Sequence, residues 1–199
     1  MMSEVLAKRA EAFNKGPMTV GDLAKQVEDL RKQVENIKPG ADDKLSIIVF
    51  SGDLDKVLAA FIIATGAVAM GMEAVMFFTF WGTPVLRDSK KKAGGKDLMG
   101  KMFGFMLPKG RNAIKLSKMN MAGMGTSMMK SLMKKKNVAS LDQMLDMAAE
   151  LDVKIYICEM SMNLMGFKRE EFIDYPNLEY VGVATFLEQA RNSKVQLFI

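Results

Sequence analysis

Two apolar runs with a helix-forming stretch between them constrain this chain more than any other feature. Leu45-Ser46-Ile47-Ile48-Val49-Phe50 is short and nearly unbroken, the pattern of a strand covered on both faces. Glu73-Ala74-Val75-Met76-Phe77-Phe78-Thr79-Phe80 reads as a second buried strand. Ser51-Gly52-Asp53 is a tight turn that offers an N-cap to the stretch between them. That stretch, residues 54–70, is apolar and rich in small residues (Ala59, Ala60, Ala64, Gly66, Ala67, Ala69), which lets a helix pack closely on a sheet. Gly71 is its natural stop. A strand, a helix and a strand of these lengths imply a parallel pair joined by a right-handed crossover.

The alternation resumes near the middle of the chain. Ser140 is a plausible N-cap with Gln143 at the capping-box position, and Leu141, Met144, Leu145 and Ala148 mark one apolar helix face. Residues 153–157 form a third strand that ends at Cys158, followed by a short helix to about Met165 and Gly166. Residues 178–183 read as a fourth strand, 186–192 as a short helix and 194–199 as a closing strand. Tyr175 and the pair Glu170-Glu171 read as surface groups. The economical solution is an α/β fold of flavodoxin-like kind: a five-stranded, mainly parallel sheet with helices on both faces. The common order for five such strands, 2-1-3-4-5, places strand 1 beside strand 3. It makes Ser51-Gly52-Asp53 face Cys158-Glu159 across a switch point, with Thr79, Phe80 and Trp81 as a wall and Met160 and Ser161 in the helix that follows.

Two segments lie outside this pattern. Before the first strand, Val20, Leu23, Val27, Leu30, Val34 and Ile37 recur at spacings of three and four, with Pro39-Gly40 as the stop. Residues 1–40 are therefore set apart as a helical segment. It either self-associates as a short parallel coiled coil or packs as an amphipathic helix on its own domain. Residues 87–137 interrupt the α/β body. They hold 14 Lys and Arg against 2 Asp, together with nine of the 20 methionines. The chain's net charge of +5 thus arises in this insertion, since the remainder is acidic. The insertion is either a mobile solvated loop with helical pieces or a greasy cationic surface for a partner protein or an anionic membrane face. Aromatic residues do not interleave with its charges in a recognisable motif, which argues against nucleic acid.

What is missing narrows the chemistry. There is no histidine, which removes Cys-His and Ser-His catalysis and histidine metal ligation. One cysteine excludes an internal disulfide, a CxxC redox pair and any multi-cysteine metal site, and it fits a reducing cytoplasm. No cofactor or metal is expected. Met1-Met2-Ser3-Glu4-Val5 lacks a basic region followed by an apolar core, so no secretory signal is expected. No stretch reaches the roughly 18 uncharged apolar residues of a membrane span. The expected location is cytoplasmic, with membrane association through residues 87–137 as a further option. Cys158 is the one credible nucleophile or redox centre. By itself it is equally a small buried core residue or a thiol placed at a helix N-terminus, where thiolate is favoured. Ser51 and Gly52 could instead belong to an anion or nucleotide pocket.

Three segments, in order, also resemble one known family. They are Ser51-Gly52-Asp53-Leu54-Asp55-Lys56, Met76-Phe77-Phe78-Thr79-Phe80-Trp81-Gly82 and Cys158-Glu159-Met160-Ser161-Met162-Asn163-Leu164-Met165-Gly166. Over residues 44–199, Met-rich insertion included, the chain resembles the DsrE/DsrF/DrsH-like family and most closely its DsrE2-type branch. The resemblance implies a compact DsrE-like α/β fold, a homo- or hetero-oligomer, and a sulfur-relay role as carrier or sulfurtransferase. It implies that Cys158 holds sulfur as a persulfide, received from and passed to partner proteins or low-molecular-weight thiols. The family motif often has Asp where this chain has Asn163. Members are often labelled peroxiredoxin-like, but this chain has neither a Thr-x-x-Cys pattern nor a second, resolving cysteine. The alternative function is a non-catalytic α/β binding module for a small ligand or nucleotide, recruited to a membrane or partner through the insertion.

Overall fold

The computed structural model describes residues 19–36, 42–96 and 98–199. The chain divides into two compact units, residues 1–40 and 41–199.

The described part of the first unit is one helix, α1 (Val20–Asn36). Its start is fixed by Thr19 and Asp22: the Asp22 N–H donates to the Thr19 hydroxyl oxygen, and Thr19 returns its own N–H to the Asp22 carboxylate. Val20, Leu23, Val27 and Leu30 of the heptad seam all face solvent in the single chain. The side chains of Val34 and Ile37, which complete the seam, lie outside the described residues.

The second unit is the α/β body. Its elements in order are β1 (Asp42–Val49), α2 (Leu54–Ala69), β2 (Glu73–Phe78), α3 (Leu98–Met106), α4 (Met124–Lys135), α5 (Leu141–Glu150), β3 (Lys154–Cys158), α6 (Glu159–Leu164), β4 (Leu178–Val181), α7 (Val183–Arg191) and β5 (Ser193–Phe198). Three short 3-10 stretches intervene, Phe80–Leu86, Met121–Gly123 and Arg169–Glu171. All four strand pairings in the five-stranded sheet are parallel. The Ser140 capping box forms with both of its bonds.

The sheet order is β4-β3-β2-β1-β5, which corrects the expected 2-1-3-4-5. Strand 1 pairs with strands 2 and 5, not with strand 3. The cause lies in how helices are shared between faces. α2 and α5 pack on each other over one face of the sheet, so successive right-handed crossovers carry β1 to β4 steadily in one direction. Among the described helices, α7 packs on the opposite face, against β1 and β5, and delivers β5 to the free edge of β1. Strand alternation shows the two faces directly. Ile47, Met76, Phe78, Ile155 and Ile157 enter the larger core under α2 and α5. Val75, Phe77, Tyr156 and Cys158 enter a smaller one with Phe186 and Ala190 of α7. The winding therefore reverses between β1 and β5. There the Phe50 and Ser51 N–H groups donate to the Ile199 carbonyl.

The insertion is tied to the body rather than extended from it as a loop. The Leu54 N–H donates to the Lys115 carbonyl at 2.8 Å, and Ser117 gives both its N–H and its hydroxyl to the Asp55 carboxylate. Ile114 is buried in the main core. Burial would raise the Asp55 carboxyl, but the Ser117 bonds outweigh it and hold Asp55 below its ordinary value. The apolar side chains Met99, Met102, Phe105 and Met106 of α3 and Met124, Met128 and Leu132 of α4 remain exposed.

Candidate functional site

The carboxyl ends of β1, β2 and β3 stand in a row, and close backbone contacts hold them there. A Cβ on Gly52 would lie 2.4 Å from the Trp81 carbonyl oxygen, and one on Gly82 would lie 2.2 Å from that of Val49. Only glycine lets the turn after β1 and the turn after β2 meet backbone to backbone. The Thr79 N–H adds a bond to the Val49 carbonyl at 3.1 Å. On its other side, Thr79 Oγ1 lies 2.8 Å from Ser161 Oγ, both buried. Thr79 thus ties the first strand's turn to the helix that follows Cys158.

Cys158 is the last residue of β3 and the N-cap of α6. Its side chain lies on the α7 face, in a cluster with Val75, Phe77, Tyr156, Val181 and Phe186. Phe186 stacks on Phe77 at 4.7 Å between ring centroids. Under this cover the cysteine is only 3 % exposed. Cavities of about 400, 280 and 200 Å³ lie at the insertion, and Cys158 lines none of them.

The strand order changes how the expected site residues relate. Ser51-Gly52-Asp53 does not face Cys158 directly, because β2 with Thr79, Phe80 and Trp81 stands between them. The expected wall is the centre of the row. Gly52 meets Trp81, Phe80 packs on Phe50 at 5.4 Å, and Ser161 bonds Thr79. Trp81 and Met160 are about half exposed.

Both acids near the row have cationic partners. Ser51 Oγ donates to Asp53 at 2.9 Å, and Lys56 Nζ lies 2.9 Å from the same carboxylate. Glu159, next to Cys158, is paired with Arg169, whose guanidinium also lies 4.8 Å over the Tyr180 ring. The negative charges that oppose a thiolate are thereby offset locally.

Sequence reasoning missed three features here. The apolar cluster that holds Cys158 takes Phe186 and Ala190 from α7, which begins at Val183 rather than at 186. Val183, Phe186, Leu187 and Ala190 carry the helical spacing that could have revealed it. Arg169, the partner of Glu159, left no signal, because it meets the acid through a turn. The third is a correction: Glu171 is buried rather than a surface group, and Tyr175 is half-buried. Tyr175 donates its hydroxyl to the Val153 carbonyl, and burial pushes its pKa well above the ordinary range. Glu171 is buried between Arg87 and Lys96. An antiparallel bridge between Arg87 and Phe172, residues far apart in sequence, brings the ions together.

Comparison with known proteins gives the following. The model of the DsrE/DsrF/DrsH-like family matches residues 41–198. A Bacillus subtilis (strain 168) protein named "Uncharacterized protein YrkE" is 46 % identical over 156 residues, which span 78 % of this chain and 96 % of that protein. A protein of Allochromatium vinosum named "Sulfur carrier protein DsrE2" is 38 % identical over 160 residues, 78 % of this chain and 98 % of its own length.

Proposed function

This chain belongs to the DsrE/DsrF/DrsH-like family, a sulfur-relay family, and from that premise we propose that it is a sulfur carrier whose Cys158 holds and hands on a persulfide. The Cys158 thiolate attacks the outer sulfur of a donor persulfide R–S–SH. A new S–S bond forms, the donor S–S bond breaks, and R–S⁻ leaves with the electron pair. An acceptor thiolate then attacks the outer sulfur of Cys158–S–SH and regenerates the Cys158 thiolate. Neither step needs a histidine or a second cysteine. One observation carries the reading. The only cysteine ends β3 and opens the first turn of α6, in a chain that matches a named sulfur carrier along nearly all of that protein's length.

The buried thiol makes access the controlling step in this scheme. Opening of the α7 cover admits the donor, and closing it again shields the persulfide from water. The exposed Met and Phe side chains among the insertion's lysines would dock the donor, the acceptor or an anionic membrane face. The exposed α1 seam would pair copies into a homo-oligomer. Among the described residues no helix is long and apolar enough to cross a membrane. We place the protein in the cytoplasm, where reduced thiols persist.

The test is to incubate the protein with polysulfide and take intact masses. A gain of about 32 Da per sulfur is expected, and none in Cys158→Ser. No gain, or a gain that survives in Cys158→Ser, would sink the reading. The burial of Cys158 favours a second reading, a non-catalytic α/β binding module for a small ligand or nucleotide in which the thiol is a packing residue. Alkylation rate against pH separates the two. A slow profile with a midpoint near about 8.5 supports the module, and a fast, low-pKa thiol supports the carrier.

A further inference from the structure

Among the described residues, the buried ion cluster at the base of the insertion has more cations than acids. The Arg87–Phe172 bridge places Arg87 beside Glu171, and the Arg87 side chain is 7 % exposed. Its Nη2 donates to Glu171 Oε2 at 3.1 Å, and its Nη1 donates to the Pro108 carbonyl at 3.2 Å. Its Cζ lies over the Phe167 ring, 4.4 Å from the centroid. Lys96, itself mostly buried, pairs with the other oxygen of the same carboxylate. Two buried cations thus share one carboxylate. Arg87 Nε is also buried and has no hydrogen-bond partner among the described residues. Buried N–H donors are nearly always satisfied, so an orphan on an arginine is a sign of an absent acceptor.

Arg87 and Lys96 line a cavity of about 280 Å³, together with Lys91, Lys92, Lys101 and Lys109. The acids in its lining, among the described residues, are Asp88 and Glu171, and Lys91 has a further partner in Asp174. The lining therefore carries a net charge of +4 against the solvent. A second cavity of about 200 Å³ shares Arg87, Ser89 and Lys109 and adds Lys90 and Arg111. Gly100 and Gly104, one turn apart on α3, line the first cavity beside Lys101 and Phe105 of the same helix, and neither glycine puts a side chain into it. The fork's ends are held by Glu171 and the Pro108 and Gly104 carbonyls, which leaves the Nε N–H, backed by several lysines, to meet an oxygen of phosphate or its relatives.

We propose that this cavity binds a compact oxyanion, either a phosphate-bearing small molecule or a sulfur oxyanion, with Arg87 at its floor and Lys92, Lys101 and Lys109 around its mouth. The site is separate from Cys158, which does not line it, and the inference does not rest on the sulfur-carrying reading. The charge of the insertion then serves recognition of a small anion as well as any docking surface.

The test is calorimetric titration of the full chain, at low ionic strength, with inorganic phosphate, tripolyphosphate and thiosulfate. Saturable binding of at least one is expected, weakened about tenfold or more in the Lys101→Gln/Lys109→Gln double variant. A control of equal charge change, Lys135→Gln/Lys136→Gln, is expected to bind as the parent does. Binding of thiosulfate alone assigns a sulfur oxyanion, and binding of the phosphates alone assigns a phosphate ligand. Arg87→Lys keeps the charge but removes Nε and is expected to weaken binding further. If that variant does not fold, the lysine pair still decides. Cys158→Ser is expected to bind equally, and loss there would assign the heat to the thiol and overturn the proposal. No saturable heat with any probe, or equal losses in the two double variants, would overturn it as well.

Discussion

Thr79 Oγ1 and Ser161 Oγ, from the end of β2 and the first turns of α6, lie 2.8 Å apart with no room for water between them. The pair is the side-chain bond that couples the row of strand ends to the segment carrying Cys158. Removing one hydroxyl leaves the other buried and unsatisfied. Thr79→Val or Ser161→Ala should each cost about 1–3 kcal/mol. The double variant should cost clearly less than the sum, since neither partner is then orphaned. Urea unfolding of the four proteins measures the coupling, and simple additivity would remove the bond from this role.

The glycine contacts make a sharper claim about the same row. Gly52→Ala and Gly82→Ala each force a methyl group into a backbone carbonyl. Each should destabilise by about 1–3 kcal/mol, the range of an overpacked site. Gly66→Ala, in the last turn of α2 with nothing within 4 Å of the added Cβ, should instead be neutral or stabilising by up to about 1 kcal/mol. Thermal melts of the three variants check the ranking.

Phe186 and Ala190 of α7 share the apolar cluster of Cys158, so an entry route through α7 can be measured. Phe186→Leu keeps the site apolar but loses the stack on Phe77. Its cost should stay near about 1.5 kcal/mol, so the protein still folds. The same loss should raise the population of the opened cover and speed alkylation of Cys158 by roughly tenfold. An unchanged rate would move the entry route off α7.

Glu171 sets an acid limit on stability. Burial alone would raise its carboxyl. The Lys96 hydrogen bond, the Lys168 N–H and the charges of Lys96 and Arg87 outweigh this and hold it below its ordinary value. A depressed carboxyl contributes stability that is present above its unfolded pKa and lost as pH falls through the folded one. The stability curve should therefore be flat for this group above about pH 4.5 and fall below it. Glu171→Gln should flatten that limb and cost about 3–5 kcal/mol at pH 7, because it leaves two buried cations without their acid. Unfolding midpoints from pH 3 to pH 7 test both statements.

These features differ in how far the sequence could announce them. The strands and α2 were legible because short apolar runs and small-residue helices are local patterns. So were the Ser140 capping box and the place of Cys158 at the end of a strand. The order of the strands was not legible. The same crossovers fit 2-1-3-4-5 and 4-3-2-1-5, and the choice depends on α2 and α5 sharing one face. That choice moved Ser51-Gly52-Asp53 one strand away from Cys158. Glu171 looked like a surface acid for a related reason. Its burial depends on Arg87, 84 residues earlier, and no local period encodes a contact of that span.

The α1 seam remains as a claim about assembly. Val20, Leu23, Val27 and Leu30 form an apolar stripe that the chain leaves in solvent, on a helix whose other positions are largely charged or polar. A 17-residue helix is marginal in water without a partner for such a stripe. Replacing Val27 and Leu30 by Glu puts like charges at adjacent seam positions of any paired helices. If the seam holds copies together, Val27→Glu/Leu30→Glu and deletion of residues 1–40 should lower the mass in solution by the same step. Light scattering across a dilution series reads that mass directly. An unchanged mass in both proteins would assign assembly to the α/β body and leave the seam for a different partner.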